Sequence, residues 1–150
     1  MELIDAVTDF SIEKDIVRPE YDVEFRISED REVFAWGRSL VPYQVYSALC
    51  CVAYTHEIPI NMEQLTEYSI NHSPYRGDIA IAYTVWNCSD TKGSGRSLIL
   101  ALQKHFSSHA KVNRLVTLSP LTEMAKKFHL SNGAKLLSTN PESYNFEYAI

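Results

Sequence analysis

The chain has 150 residues, 45% hydrophobic and 22% charged, with a formal net charge of −5. Those proportions are ordinary for a globular protein, so a single domain over residues 1–150 with its own core is expected, and disorder is not. The acidic balance counts against a nucleic-acid reader, and no apolar run nears the ~18 residues of a membrane span. The opening Met1–Asp5 is acidic where a secretory leader would be basic. The three cysteines include the neighbours Cys50 and Cys51, which suits reduced thiols in the cytoplasm better than a disulfide framework. His56, His72, His105, His109 and His129 stand at no metal-ligand spacing with cysteines or carboxylates, so no metal is expected.

In chain order, Ile4, Val7, Ile12 and Ile16 could line a short helix stopped by Pro19. Tyr21–Ile27 alternates apolar and charged residues and reads as a half-buried strand. Ser28–Asp30 then turns it into a second strand near Glu32–Gly37, a hairpin. Val45–Tyr54 is apolar nearly throughout and reads as a central strand buried on both faces. Asn61 can cap a short helix, with Gln64 placed for a capping box. Ile79–Trp86 is another apolar strand. Leu98, Ile99, Ala101, Leu102 and Phe106 recur at helical spacing, and Val112–Leu118 is the next strand. Leu121, Met124, Ala125 and Phe128 mark a second helix, ended at Gly133 by a left-handed residue. Ser143–Ile150 is a closing strand. Strands followed by strand–helix–strand–helix–strand make an α/β protein, an α+β mixed sheet with helices packed on it.

Chemistry concentrates in Ser89–Ser97, a glycine-containing turn between a strand and a helix. Such a turn exposes backbone N–H groups at a helix N-terminus, where they and the helix dipole favour phosphate or pyrophosphate. Lys92 and Arg96 add positive charge there. A solvated tight turn is an equally good account of Gly93-x-Gly95 by itself. The pattern is neither a P-loop nor a dinucleotide fingerprint.

Val85–Leu98 resembles the acyl-CoA signature of the GNAT acyltransferases, in which a strand runs into Arg/Gln-x-x-Gly-x-Gly/Ala and then a helix. Gly93 and Gly95 take the two small positions, and Asp90 stands where that family has a basic or amide residue. Ala125–Gly133 is similar to the family's second motif, with His129 at the position of a tyrosine that acts as general acid toward the CoA thiolate. A narrower resemblance is to the GNAT-like catalytic domain of malonyl-CoA decarboxylase. It is carried by Thr117-Leu118-Ser119-Pro120 and by Phe128-His129-Leu130-Ser131-Asn132-Gly133-Ala134, with weaker likeness over roughly residues 31–138. The serine and histidine of those segments are catalytic in that family and correspond to Ser119 and His129. The family's long helical insertion between them is missing here, and Ser94 stands where its glycine loop has an acid.

The resemblance implies a GNAT-like fold with two splayed parallel strands, Ile79–Trp86 and Val112–Leu118, and a pantetheine arm between them. It implies acyl-CoA (acetyl-CoA or malonyl-CoA) as the ligand, held by Lys92, Gly93, Ser94, Gly95, Arg96 and Ser97. Backbone N–H groups of Trp86, Asn87 and Cys88 would polarise the thioester carbonyl. An acyltransferase would use His129 as general acid, a decarboxylase would protonate an enolate from it, and a non-catalytic acyl-CoA-binding module would use neither. Ser119 could orient the acyl group or cap the helix beginning near Leu121. Ten residues of mostly helical chain, about 12–15 Å of rise, separate it from His129, too far for a direct dyad. Cys88 is better explained as inert packing than as a nucleophile, and Tyr83 is the tyrosine to watch. The partners expected are a small-molecule acyl-CoA and an unspecified acceptor, with a homodimer possible and neither nucleic acid nor membrane.

Overall fold

The computed structural model describes residues 1–40, 42–71, 74–109 and 111–150; His72, counted above among the histidines, lies outside them. The elements are β1 (Glu2–Ile4), α1 (Val23–Ile27), β2 (Arg31–Leu40), β3 (Tyr43–Thr55), α2 (Met62–Tyr68), β4 (Ile79–Asn87), α3 (Ser94–Ser107), β5 (Arg114–Thr117), β6 (Ser119–Pro120), α4 (Glu123–Ser131), β7 (Lys135–Thr139) and β8 (Ser143–Tyr148). The strands form one mixed sheet in the order β1-β2-β3-β4-β5-β8-β6, with β7 on β8. Among the described residues every pairing is antiparallel except β4 with β5.

Two expectations about the first thirty residues are corrected. Glu2–Ile4 is a strand, because it completes the edge of β2, with Ile4 opposite Ala35. Ala6 then takes a left-handed φ of 50°, which no helix tolerates. Tyr21–Ile27 contains a short helix, because Asp22 Oδ1 accepts the Phe25 amide at 2.9 Å as an N-cap. Tyr21 and Phe25 stack across one turn, ring centroids 4.7 Å apart. The hairpin at this end of the chain therefore joins β2 to β3.

The rest follows the apolar pattern. β3 is buried on both faces from Ser47 to Thr55, between one layer built on α3 and another built on α1, α2 and the N-terminal segment. Leu98, Ile99, Leu102 and Phe106 of α3 pack on Phe34, Cys50, Val52 and Ala82. On the opposite face Leu49, Cys51, Ile81, Tyr83 and Val116 meet Val7, Phe25 and Leu65. Asn61 Oδ1 caps α2 at the Gln64 amide, 2.8 Å away, while the Gln64 side chain accepts from Ile60, one residue before the cap.

Candidate functional site

The parallel pair β4–β5 is paired only from Ile79↔Arg114 to Ala82↔Thr117. One further rung, the Leu118 amide to Ala82 O at 2.9 Å, ends the contact. Beyond it β4 runs on to Asn87, while Ser119 and Pro120 turn away to pair with Tyr144 and Ser143 of β8. The two strands thus diverge at their C-terminal ends and leave a fork, the geometry expected of them.

A bulge on β4 shapes one side of that fork. Cys51 pairs with Thr84 and Val52 with Ala82, so Tyr83 is the extra residue, and Tyr83 and Thr84 both face the N-terminal layer. Further along, the Cys88 amide donates to Ser47 O at 2.8 Å. Groups of alternate residues point the same way in an antiparallel ladder, so Trp86 and Cys88 turn their amides to β3. Of the three amides expected at the thioester, that of Asn87 faces the fork, and Val85 joins it there. The Trp86 indole is buried on the other side, 5.3 Å from the Arg26 guanidinium.

β4 leads directly into the glycine turn. Gly93 is the N-cap of α3, with φ 82° and no side-chain cap. That left-handed φ is why glycine is required there. Ser94 Oγ donates to Thr91 O at 3.1 Å, and the Gly95 amide is held by Asn87 Oδ1 at 3.0 Å. The Ser94 and Arg96 amides have no acceptor among the described residues, and the first turn of α3 carries no acidic residue. Two open amides at an uncapped end of a 14-residue helix, with Lys92 and Arg96 exposed beside them, form a positive mouth. Arg96 Nη1 also reaches Ser131 O and Asn132 Oδ1 at 3.2 and 3.3 Å, tying this mouth to the end of α4. Phe128 closes the contact, since a Cβ on Gly95 would lie 3.6 Å from its ring.

His129 is buried on α4 between Phe128 and Phe146 of β8, with ring centroids 5.0 and 5.2 Å away. Its Nδ1 lies 2.7 Å from Tyr148 Oη. Burial lowers its pKa from 6.5 to about 4, so the ring is neutral at pH 7. Burial raises that of Tyr148, so the phenol keeps its proton. The sequence does not single out Tyr148, which lies in an alternating terminal strand, and nothing local marks its pairing with α4. Ser119 does not bond His129. Its Oγ donates to Thr117 Oγ1 at 2.8 Å, and the cap of α4 is Thr122, whose Oγ1 accepts the Ala125 amide at 3.1 Å. Cys88 is half-buried with its thiol pKa raised by burial, the opposite of an activated nucleophile. Tyr83 is buried too, and burial raises the pKa of its hydroxyl, which lies beside Cys51. Two surface hollows lie elsewhere, at the C-terminal end of α3 and along the β5–β8–β7 edge.

A bulged strand diverging from a parallel neighbour and running into an uncapped helix decides the fold. The chain has the GNAT fold. It superposes on malonyl-CoA decarboxylase from Agrobacterium vitis with a TM-score of 0.67 at 16% identity, over 93% of this chain and 56% of that one. The chain therefore spans little more than half the length of that protein. The GNAT domain of S. lividans PAT gives a TM-score of 0.54 at 12% identity, over 85% and 63%. AtaTR bound with acetyl-CoA gives 0.59 at 15%, over 97% and 91%. AtaT complexed with acetyl-methionyl-tRNAfMet gives 0.59 at 11%, over 98% and 93%. No protein-family model and no curated protein matches the sequence. Among the described residues no helix is long and apolar enough to cross a membrane.

Proposed function

We propose that this GNAT domain is an acyl-CoA-dependent acyltransferase. The observation that carries the reading is the fork, which opens where β4 leads into the uncapped end of α3. Pyrophosphate would lie against the Ser94 and Arg96 amides, with Lys92, Gly93, Gly95 and Ser97 around it, and pantetheine would run into the fork. The Asn87 and Val85 amides would donate to the thioester oxygen as charge develops on it. An acceptor amine bonds the thioester carbon, the C–S bond breaks, and the proton the amine sheds ends on sulfur. His129 takes part as a neutral ring. With Tyr148 Oη donating to Nδ1, its proton sits on Nε2 and is offered as a hydrogen bond to the departing sulfur. Ser119 would orient the acyl carbonyl by turning its hydroxyl hydrogen from Thr117 to that oxygen.

One observation favours a second reading, decarboxylation of a malonyl thioester. The N-terminal segment covers the fork on the face away from α3, where Thr84 Oγ1 donates to Asp15 Oδ1 at 2.9 Å. Loss of CO₂ needs no acceptor from that side. The carbon–carbon bond breaks, the Asn87 and Val85 amides would hold the enolate oxygen, and His129 would hand a proton to the carbon and regain one from solvent, completing the methyl group. Incubating the protein separately with malonyl-CoA and acetyl-CoA, with candidate amines, and following products by mass spectrometry distinguishes the readings. Acylated amine with free CoA supports transfer, and acetyl-CoA with CO₂ supports decarboxylation. Binding without turnover leaves an acyl-CoA-binding module.

A further inference from the structure

Arg18 has no part in the reactions above, yet the fold fixes it with unusual care. Asp15 Oδ1 accepts the Val17 amide at 2.9 Å and the Arg18 amide at 3.1 Å. Arg26 Nη2 donates to the Arg18 carbonyl at 2.6 Å. From this clamp the side chain reaches the fork itself, with Nε donating to Tyr83 O at 3.3 Å and Nη2 to Leu118 O at 3.1 Å. One guanidinium therefore spans the two strands at the point where they cease to pair. Lys14, four residues earlier, follows the same strand, its Nζ 3.2 Å from Cys88 O.

Arg18 has lost much of its hydration and gained no counter-ion. Burial lowers its pKa, opposed by the fields of Glu20, Tyr21, Asp15 and Tyr83. No carboxylate among the described residues lies within ion-pair distance of it, and Nη1 has no acceptor among them. A partly desolvated cation with one edge anchored and the other unused is suited to a bound anion, and a guanidinium edge matches a carboxylate.

We propose that Arg18 selects the substrate at the fork by receiving, on the unused edge of its guanidinium, a carboxylate of the molecule that reacts there. The proposal rests on the fork being the place of the acyl thioester. The carboxylate has two possible sources with the same chemistry. It is the far end of a dicarboxylic acyl group reaching through the fork from the α3 side, or it belongs to an acceptor amine. Pairing with Arg18 also opposes decarboxylation, because the ion pair is strongest with the intact carboxylate and vanishes with neutral CO₂.

Isothermal titration of the full chain tests this. In one arm the ligands are CoA, acetyl-CoA, malonyl-CoA and succinyl-CoA. In the other, acetyl-CoA-saturated protein receives alanine or ethylamine, which differ by the carboxylate. In at least one arm the carboxylate-bearing ligand should bind ~10–100-fold tighter than its counterpart, the range of a hydrogen bond to a charged group. Arg18→Gln should bring that ratio near one while CoA binds as before, and Arg18→Lys should keep part of it. A guanidinium that only staples the strands would lower Tm when replaced and leave the ratio unmoved, which overturns the proposal. Ratios near one in both arms of the wild-type protein, with CoA bound, overturn it without any variant and leave the acyl-CoA reading standing. If no CoA compound binds, both fall.

Discussion

The Asp15 carboxylate and the Arg26 guanidinium meet at 2.6 Å with both side chains wholly shielded from solvent. The pair joins the irregular N-terminal segment to α1. Through the Asp15 bonds to Thr84 and to the Val17 and Arg18 amides, it also fixes the cover of the fork. A buried pair adds little over an apolar substitute, but breaking it strands a charge. Arg26→Met should therefore cost about 3–5 kcal/mol in urea unfolding. Replacing both partners with apolar residues should recover much of that loss. A single replacement within 1 kcal/mol of wild type would show that water reaches the pair.

That network also marks the limit of what the sequence shows. The period-two alternation of Tyr21–Ile27 reads as a strand, yet Arg26 occupies an interior position made tolerable by Asp15, eleven residues earlier, and by the carbonyls of Arg18 and Tyr21. Elsewhere burial is written locally. Val45–Tyr54, Ile79–Trp86 and α3 were legible because their side chains are sorted by the two faces of one sheet. Gly93 and Gly133 were legible because their φ values of 82° and 95° favour glycine. The bulge at Tyr83, the Asn87 hold on Gly95 and the His129–Tyr148 pair depend on distant segments meeting, and no spacing announces them.

The mouth of α3 makes a direct prediction for CoA. Binding should slow amide exchange at Gly93–Ser97 and raise Tm, since a ligand of the folded state stabilises it. The Ser94 and Arg96 amides should gain most, because the Gly95 amide already donates to Asn87. Gly95→Asp would add a carboxylate within reach of Asn87 Oδ1 and the Phe128 ring, which already lie 3.4 and 3.6 Å from a Cβ there. It should abolish the Tm shift. If millimolar CoA shifts nothing in the wild-type protein, the turn has no role in binding.

His129 sets a pH dependence of stability with a definite sign. Its pKa is 6.5 when exposed and about 4 in the fold, lowered by burial. Between those values the unfolded chain binds the additional proton, so stability rises with pH across the window. The contribution is complete above pH 6.5 and is lost as pH falls toward 4, a change on the order of 3 kcal/mol. Glu147, held low by its hydrogen bond to Arg114, tilts the acid limb in the same direction. The measurement is therefore the difference between wild type and His129→Gln in urea unfolding from pH 7 to pH 4. Curves that stay parallel would mean that His129 is not buried neutral.

The His129–Tyr148 pair carries the prediction about catalysis. If the neutral ring hydrogen-bonds the leaving sulfur, His129→Ala should lower turnover ~10²–10⁴-fold, the range of general acid–base roles, with CoA affinity nearly unchanged. Tyr148→Phe keeps the ring in place but removes the donor to Nδ1, so the proton is no longer fixed on Nε2. It should cost about 10-fold, the scale of one buried hydrogen bond. His129→Tyr separates the two chemistries. A phenol can still protonate a thiolate, so an acyltransferase should retain appreciable activity, above all with Tyr148→Phe making room for the new hydroxyl. A decarboxylase, which needs no leaving-sulfur donor but does need the shape of the imidazole beside the enolate, should suffer as much from Tyr as from Ala. The pH profile supplies the control. A neutral His129 adds no inflection of its own near pH 6.5, and its inflection comes only near its folded pKa of about 4. Wild-type turnover in both His129 variants would remove the pair from the mechanism and leave the fork amides of Val85 and Asn87 as the source of catalysis.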